Sequence, residues 1–77
     1  MMLEVGHILK KNGRTFCVLD ILEFNMKKYV LFSVEDTKLE FLFYEILPSS
    51  DGYHLNLVKD DELEFKLFEL VEGEKDE

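Results

Sequence analysis

The sequence lacks several residue types and patterns that mark particular protein classes. Its 77 residues contain no alanine, glutamine or tryptophan, and only one cysteine and one proline. One cysteine excludes an intramolecular disulfide, whereas small secreted domains usually depend on several. No apolar run reaches the roughly 18 residues of a membrane-spanning helix, and Met1–Gly6 has no signal-peptide pattern. We therefore expect a cytoplasmic protein that neither enters a membrane nor is exported.

Basic residues are also scarce. Nine Lys and Arg against 17 Asp and Glu give a net charge of −8 at pH 7. This charge repels polyanions such as DNA, RNA and anionic lipid surfaces, so we predict no nucleic-acid and no membrane partner. An acidic rim instead suits a basic protein partner. An acidic surface can also imitate nucleic acid, which leaves an inhibitor of a nucleic-acid-binding protein as an alternative.

Apolar residues make up 47% of the chain and include seven Phe, three Tyr and thirteen Leu. This content is high enough for a folded domain, although a chain of this length buries only about 60% of its unfolded surface. We predict one domain over residues 1–73 and a disordered acidic tail over residues 74–77.

Regularly spaced turn signals divide the chain into strands. The dipeptide Asn12-Gly13 predicts a type I′ hairpin, since both residues tolerate positive φ. Asn25-Met26-Lys27, Glu35–Lys38 and Pro48–Gly52 are further interruptions. Short connections favour antiparallel neighbours. The predicted strands are Val5–Lys10, Thr15–Phe24, Lys28–Val34, Leu39–Leu47 and Tyr53–Val58.

The middle strands carry apolar residues on both faces, so the sheet needs two covers. We expect one C-terminal helix to cover one face and either barrel curvature or a second copy of the chain to cover the other. The second possibility predicts a homodimer. The candidate interaction face consists of Leu31, Leu42, Tyr44 and Ile46.

The last segment predicts a helix. Asp60 or Asp61 is a suitable N-cap, and Gly73 is a suitable stop. Leu63, Leu67, Leu70 and Val71 recur at helical spacing and form the predicted buried stripe. The alternative is a sixth strand, because residues 62–67 alternate between polar and apolar.

Few side chains of the sequence could catalyse a reaction or bind a metal ion. We predict no catalytic, cofactor-binding or metal site. His7 and His54 are far apart and lack neighbours at a metal-ligand spacing. Cys17 lies between apolar residues and suits a structural role. Asp20, inside a strand, predicts a β-bulge, with a general acid or base as the alternative.

One set of features runs from about Gly13 to Val71. It consists of a Gly-x-x-Phe opening, the strand Val18–Phe24, Lys28-Tyr29-Val30-Leu31, a Glu-Asp turn, Asp51-Gly52 before a Leu-x-Leu-Val strand, and an acidic start to the last segment. In these features the chain resembles the small acidic bacterial family that includes YrzB, a domain of unknown function. The resemblance implies a bacterial cytosolic protein without known activity. The sequence departs from the family pattern in its short middle loop and in a full N-terminal strand, Leu3–Lys10.

Together these features predict a mainly β (α+β) protein: a five-stranded antiparallel meander or half-barrel with one C-terminal helix. The predicted function is that of a non-enzymatic protein-interaction or regulatory module. The alternative is a small-ligand binder or enzyme with a pocket around Asp20 and Tyr44.

Overall fold

The computed structural model of the chain describes residues 3–75 and contains one five-stranded antiparallel sheet followed by one helix. The strands are hydrogen-bonded in chain order, and the sheet curls into a half-barrel, so the predicted fold class is confirmed. The elements are β1 (Ile8–Lys11), β2 (Arg14–Phe24), β3 (Lys27–Glu35), β4 (Leu39–Ser49), β5 (Gly52–Leu57) and α1 (Asp61–Lys75).

Two-residue loops connect the first three strands. Asn12 and Gly13 have φ values of 54° and 76°, as the predicted type I′ hairpin requires. Asn25 and Met26 form a second such loop, with φ values of 55° and 65°. Positive φ is uncommon for a methionine, because its Cβ approaches the following carbonyl oxygen. The second loop therefore holds Met26 in a strained conformation.

The first strand is shorter than the sequence predicts. It begins at Ile8 rather than Leu3 or Val5, because Gly6 adopts a φ of 94° within a turn. The Gly6 N–H donates to the carbonyl of Val18 at 2.8 Å, and the Val18 N–H donates to the carbonyl of His7 at 2.9 Å. These bonds hold the segment before β1 against β2.

One face of the sheet, here called the inner face, is enclosed by the curl. Leu9 of β1 and Leu55 of β5 lie at opposite edges of the sheet, yet both line one cavity of about 130 Å³. Between them the Phe32 ring makes edge-to-face contacts with Phe16 and Tyr44, each with centroids 5.5 Å apart. Leu3, only 9% exposed, also packs on this face. Curvature and the N-terminal segment thus cover the inner face.

The opposite side, here called the outer face, carries α1. Leu67 and Val71 of the helix are buried against Leu22, Leu31 and Phe43 of the sheet. Leu63 and Phe68 complete the contact. The predicted stripe is correct for three of its four residues, but Leu70 is 38% exposed and Phe68 packs in its place. The last segment is a helix, so the alternative of a sixth strand is wrong.

The sequence predicts the start of α1 correctly but not its end. Asp60 is the N-cap, because its Oδ1 accepts hydrogen bonds from the N–H groups of Glu62 at 3.0 Å and Leu63 at 3.4 Å. Gly73 does not end the helix, which continues to Lys75. The first two residues of the predicted tail are therefore helical, and residues 76 and 77 lie outside the described residues.

The register of β2 against β3 shifts between Val18 and Asp20. Val18 pairs with Phe32 and Asp20 with Leu31, so Leu19 is an extra residue on β2. Asp20 Oδ1 accepts a hydrogen bond from the N–H of Ile21 at 2.8 Å. The bulge predicted at Asp20 is confirmed. Because of the extra residue, side chains at alternate positions of β2 lie on one face of the sheet before the bulge and on the other face after it.

Candidate interaction surface

The residues of the predicted interaction face lie on two sides of the sheet. Leu42, Tyr44 and Ile46 are half-buried on the inner face. Leu31 pairs with Phe43 in the register between β3 and β4, and both are buried on the outer face beneath α1. The four side chains therefore do not form one surface. Their role in an interaction remains a prediction, but a partner can reach only the inner three through the opening of the half-barrel.

Asp20 and Tyr44, proposed from the sequence as pocket residues, are also separated by the sheet. Asp20 is the register partner of Leu31, so its side chain points to the outer face. Tyr44 packs with Phe16 and Phe32 on the inner face. The structure does not bring the two side chains together, so they cannot act on one substrate.

The histidines and the cysteine also remain apart. His7 and His54 are exposed on different parts of the chain, and Cys17 is a half-buried free thiol. Residues 3–75 contain no group of three or more His, Cys, Asp or Glu side chains placed to hold a metal ion.

One buried side chain has a perturbed acidity. Tyr29 is 3% exposed on the outer face. Burial raises the pKa of its hydroxyl above the ordinary value, and the neighbouring Glu45 carboxylate raises it further. Glu45 lies opposite Tyr29 in the register of β3 with β4, and its Oε2 is 4.0 Å from Lys27 Nζ. The raised pKa follows from packing and a cross-strand neighbour, so it needs no catalytic explanation.

The larger cavity, about 440 Å³, lies at one end of the half-barrel. It forms because β4 pairs with β5 as far as Ser49 but with β3 only as far as Ile46. This leaves a notch beside the tip of the β2–β3 hairpin. Two lysines, two glutamates and seven apolar or aromatic residues line it: Lys27, Lys28, Glu23, Glu45, Leu3, Ile21, Met26, Ile46, Leu47, Pro48 and Tyr53.

The outer face has an uncovered end, which the sequence did not reveal. Ile8, Cys17, Ser33 and Phe41 form one register row across β1, β2, β3 and β4. Alternation places all four on the outer face, since their strand neighbours pack on the inner face. Ile8 is 61% exposed and Phe41 48% exposed.

The next register row along the same face contains Lys10, Thr15, Glu35 and Leu39. Leu39 is 57% exposed. No member of either row belongs to the cluster that packs with α1. We call the uncharged row together with Leu39 the open patch, defined as Ile8, Cys17, Ser33, Leu39 and Phe41.

The solvent side of α1 is acidic. Phe65 is exposed there at 65%, and Lys66 is the one basic side chain among the described side chains of the helix. The exposed carboxylates of this side belong to Asp61, Glu62, Glu69 and Glu72. Much of the net negative charge of the chain is therefore carried on the side of the molecule that α1 covers.

No family model, no curated protein and no solved structure matches this chain. Within residues 3–75, α1 is the helix to consider for membrane insertion, and it is too short and too polar to cross a bilayer.

Proposed function

We propose that this chain is a non-enzymatic protein-interaction or regulatory module and that the open patch is its contact surface. The observation that supports this proposal is a register row without charged side chains across four neighbouring strands, with exposed Ile8 at one end and exposed Phe41 at the other. Scattered exposed apolar residues are common on proteins, but a group of them on one part of the surface is typical of a binding site. A sheet face that its own helix covers only in part leaves the remainder for a partner.

The acidic side of α1 supports a second feature of the proposal, a basic protein partner. A module that uses the open patch for one contact still presents the carboxylates of α1 to solvent. These charges attract a basic surface and raise its association rate, more strongly at low salt. The cytoplasm is the proposed compartment.

The experiment is affinity capture from the native cytosol with three baits: the wild-type chain, Phe41→Asp and Phe65→Asp. Both substitutions replace an exposed phenylalanine by a charge, but only Phe41 lies in the open patch. Circular dichroism of each bait checks that it is folded. We expect the wild type and Phe65→Asp to retain the same polypeptides through the patch, and Phe41→Asp to lose them.

If the Phe41→Asp bait retains every polypeptide that the wild type retains, the open patch is not the contact surface. Polypeptides that Phe65→Asp alone loses would instead assign the contact to the solvent side of α1. Capture with the wild-type bait at increasing salt concentrations tests whether the partner is basic, because binding through carboxylates weakens as the salt concentration rises.

A second candidate function is binding of a small apolar ligand in the notch cavity. Its volume of about 440 Å³ lies within the range of ligand pockets. Its lining contains neither Asp20 nor Tyr44, so it is not the pocket expected from the sequence. Thermal-shift assays with alkyl alcohols, carboxylates and amines test it. Stabilisation that Ile46→Asp abolishes would support a ligand site, and no shift from any of the three series would exclude these ligands.

Two further hypotheses from the sequence remain predictions: the resemblance to the YrzB family, and imitation of nucleic acid by the acidic surface.

A further inference from the structure

We infer that the free edge of β5 binds an extended segment of another protein as an additional strand of the sheet. The segment carries apolar side chains at alternate positions and at least one carboxylate. This inference goes beyond the proposed function, because β5 contributes no residue to the open patch. Four features support it: the backbone groups at the edge, the uncharged sequence of β5, the curl of the sheet, and a lysine beside the edge.

The hydrogen bonds between β4 and β5 identify the backbone groups that point to the free edge. The Val58 N–H donates to the carbonyl of Phe43 at 3.0 Å, so these two residues form a hydrogen-bonded pair at the end of the ladder. Hydrogen-bonded and non-hydrogen-bonded pairs alternate along antiparallel strands. Tyr53, Leu55 and Leu57 are therefore in non-hydrogen-bonded pairs, and each points one N–H and one C=O away from β4.

The only proline of the chain agrees with this alternation. Pro48 lies opposite Tyr53 in a non-hydrogen-bonded pair, so its ring nitrogen points to the other side of β4. On that side the pairing with β3 has already ended at Ile46. Proline has no N–H, and a sheet accepts it only where the ladder needs no donor. The free edge of β5 thus offers three donors and three acceptors over about 14 Å.

β5 lacks the features that usually prevent an edge strand from pairing. Natural edge strands are very short, or carry charged side chains, proline or bulges. β1, at the opposite edge, has four residues, and two of them are lysines. β5 has six residues, and it alone among the five strands within residues 3–75 has no Asp, Glu, Lys or Arg. The cluster beneath α1 contains no residue of β5, so the helix does not protect this edge either.

The curl of the sheet favours one added strand over a second copy of the chain. Leu9 of β1 and Leu55 of β5 line one small cavity from opposite edges of the sheet. A second copy joined through β5 would continue the curled sheet by five strands, toward the space that β1 and Leu3 occupy. An extended segment of a partner adds only one strand, which lies about 4.8 Å from β5. Such a segment binds through its backbone, and every second side chain faces the inner side.

The surroundings of the edge determine the side chains of the segment. Tyr53 and Leu55 pack in the apolar cluster of the inner face, so the neighbouring positions of the segment suit apolar side chains. The small cavity lined by Leu55 is also lined by Lys11, and no carboxylate lines it. The ion pairs within residues 3–75 involve Arg14 and Lys27. Lys11 is therefore placed to attract a carboxylate of the segment.

The test begins with a library of random dodecapeptides displayed on phage, with the full chain as bait. We expect enrichment of peptides that carry apolar residues at alternate positions and an Asp or Glu. A synthetic peptide of an enriched sequence is then titrated into the wild type, Leu57→Pro and Leu57→Ala. Leu57→Pro removes one N–H from the free edge but no hydrogen bond to β4, whereas Leu57→Ala keeps that N–H. We expect Leu57→Pro to bind at least about tenfold more weakly than Leu57→Ala.

Hydrogen exchange of the wild-type chain tests the same contact without a substitution. When the peptide binds, we expect slower exchange at the amides of Tyr53, Leu55 and Leu57. The amides of His54 and Asn56 should change little, because they already donate to β4. Circular dichroism checks that Leu57→Pro is folded. If it is not, Leu57→Glu replaces it, since an inward-pointing charge on an edge strand opposes pairing.

Lys11→Met tests the contact with a carboxylate. It should weaken binding of the enriched peptide, and the difference from the wild type should shrink as the salt concentration rises. Lys10→Met is the matched control, because Lys10 is the neighbouring residue of β1 but lies on the outer face. Equal effects of the two substitutions would overturn the contact with Lys11.

Three results would overturn the inference as a whole. One is a library without enriched peptides, and another is a peptide that Leu57→Pro binds as tightly as Leu57→Ala. The third is a wild-type mass of twice 9.1 kDa by sedimentation equilibrium that Leu57→Pro reduces to one chain. That result would assign the edge of β5 to the homodimer predicted from the sequence.

Discussion

The ring of Phe68 on α1 stands edge-on against the ring of Phe43 on β4, with centroids 4.8 Å apart and planes at 79°. This contact lies beside Leu67, which is fully buried between the helix and the sheet. Edge-to-face aromatic pairs add about 0.5–1.5 kcal/mol to the free energy of burial. The helix is therefore held on the outer face by specific contacts as well as by apolar area.

Replacing Leu67 by Asp should largely unfold the domain. Truncation of a buried leucine alone costs about 2–5 kcal/mol, and the carboxylate adds the penalty of an unpaired buried charge. A domain of this size has a free energy of unfolding near the lower end of the usual 5–15 kcal/mol. Thermal melting followed by circular dichroism measures the effect.

Leu70→Asp is the matched control, because Leu70 has the same side chain one turn from the contact but is 38% exposed. It should melt within a few degrees of the wild type. A Leu67→Asp protein that melts with its control would show that α1 does not stabilise the sheet.

Met26→Gly should stabilise the protein by about 0.5–1 kcal/mol. Met26 has a φ of 65° and is 94% exposed, so glycine relieves backbone strain and removes little buried surface. The expected rise in Tm is on the order of 2–8 °C. Asn25→Gly is the control, since asparagine already tolerates positive φ and the substitution should gain less. Equal or greater stabilisation by Asn25→Gly would show that Met26 is not strained.

Asp60→Ala should lower the free energy of unfolding by about 0.5–2 kcal/mol, because it removes the acceptor for two N–H groups at the start of α1. Chemical denaturation measures the change. Asp51→Ala is a comparison at an exposed turn, where Asp51 Oδ1 accepts a hydrogen bond from the Ser50 hydroxyl. A smaller loss in Asp60→Ala than in Asp51→Ala would contradict the assignment of the N-cap.

The raised pKa of Tyr29 predicts a loss of stability at alkaline pH. Below the ordinary pKa of about 10 the hydroxyl is protonated in both the folded and the unfolded chain, so the contribution to stability is complete. As the pH rises further, the unfolded chain loses this proton first, and the free energy of unfolding falls. Tyr29→Phe should remove this part of the fall. Denaturation at pH 7 measures the effect of the substitution on packing alone. An equal fall in the free energy of unfolding of both proteins at alkaline pH would contradict the prediction.

Local sequence signals predicted much of the fold. Asn12-Gly13 specified its turn because both residues tolerate positive φ, and Asp60-Asp61 indicated a helix start because an aspartate side chain caps free N–H groups. The bulge at Asp20 was visible as an interruption of the alternation. Each of these features depends on a few neighbouring residues, so one sequence was sufficient.

The candidate surface depended on relationships between distant segments. The side on which Leu31 lies follows from its pairing with Phe43, and no pattern within β3 alone fixes that register. Phe41 and Phe43 share a face, but α1 covers only Phe43, since a helix about 10 Å wide covers only part of the sheet. The position of α1 along the strands, and hence the open patch, required the tertiary structure.

The central claim is that the uncovered end of the outer face is the contact surface of this chain, and affinity capture with the matched baits Phe41→Asp and Phe65→Asp tests it most directly. Both substitutions place a charge at an exposed phenylalanine, but only Phe41 lies in the open patch. The account predicts that a folded Phe41→Asp bait loses polypeptides that the wild type and Phe65→Asp retain. A folded Phe41→Asp bait that retains all of them would contradict the account.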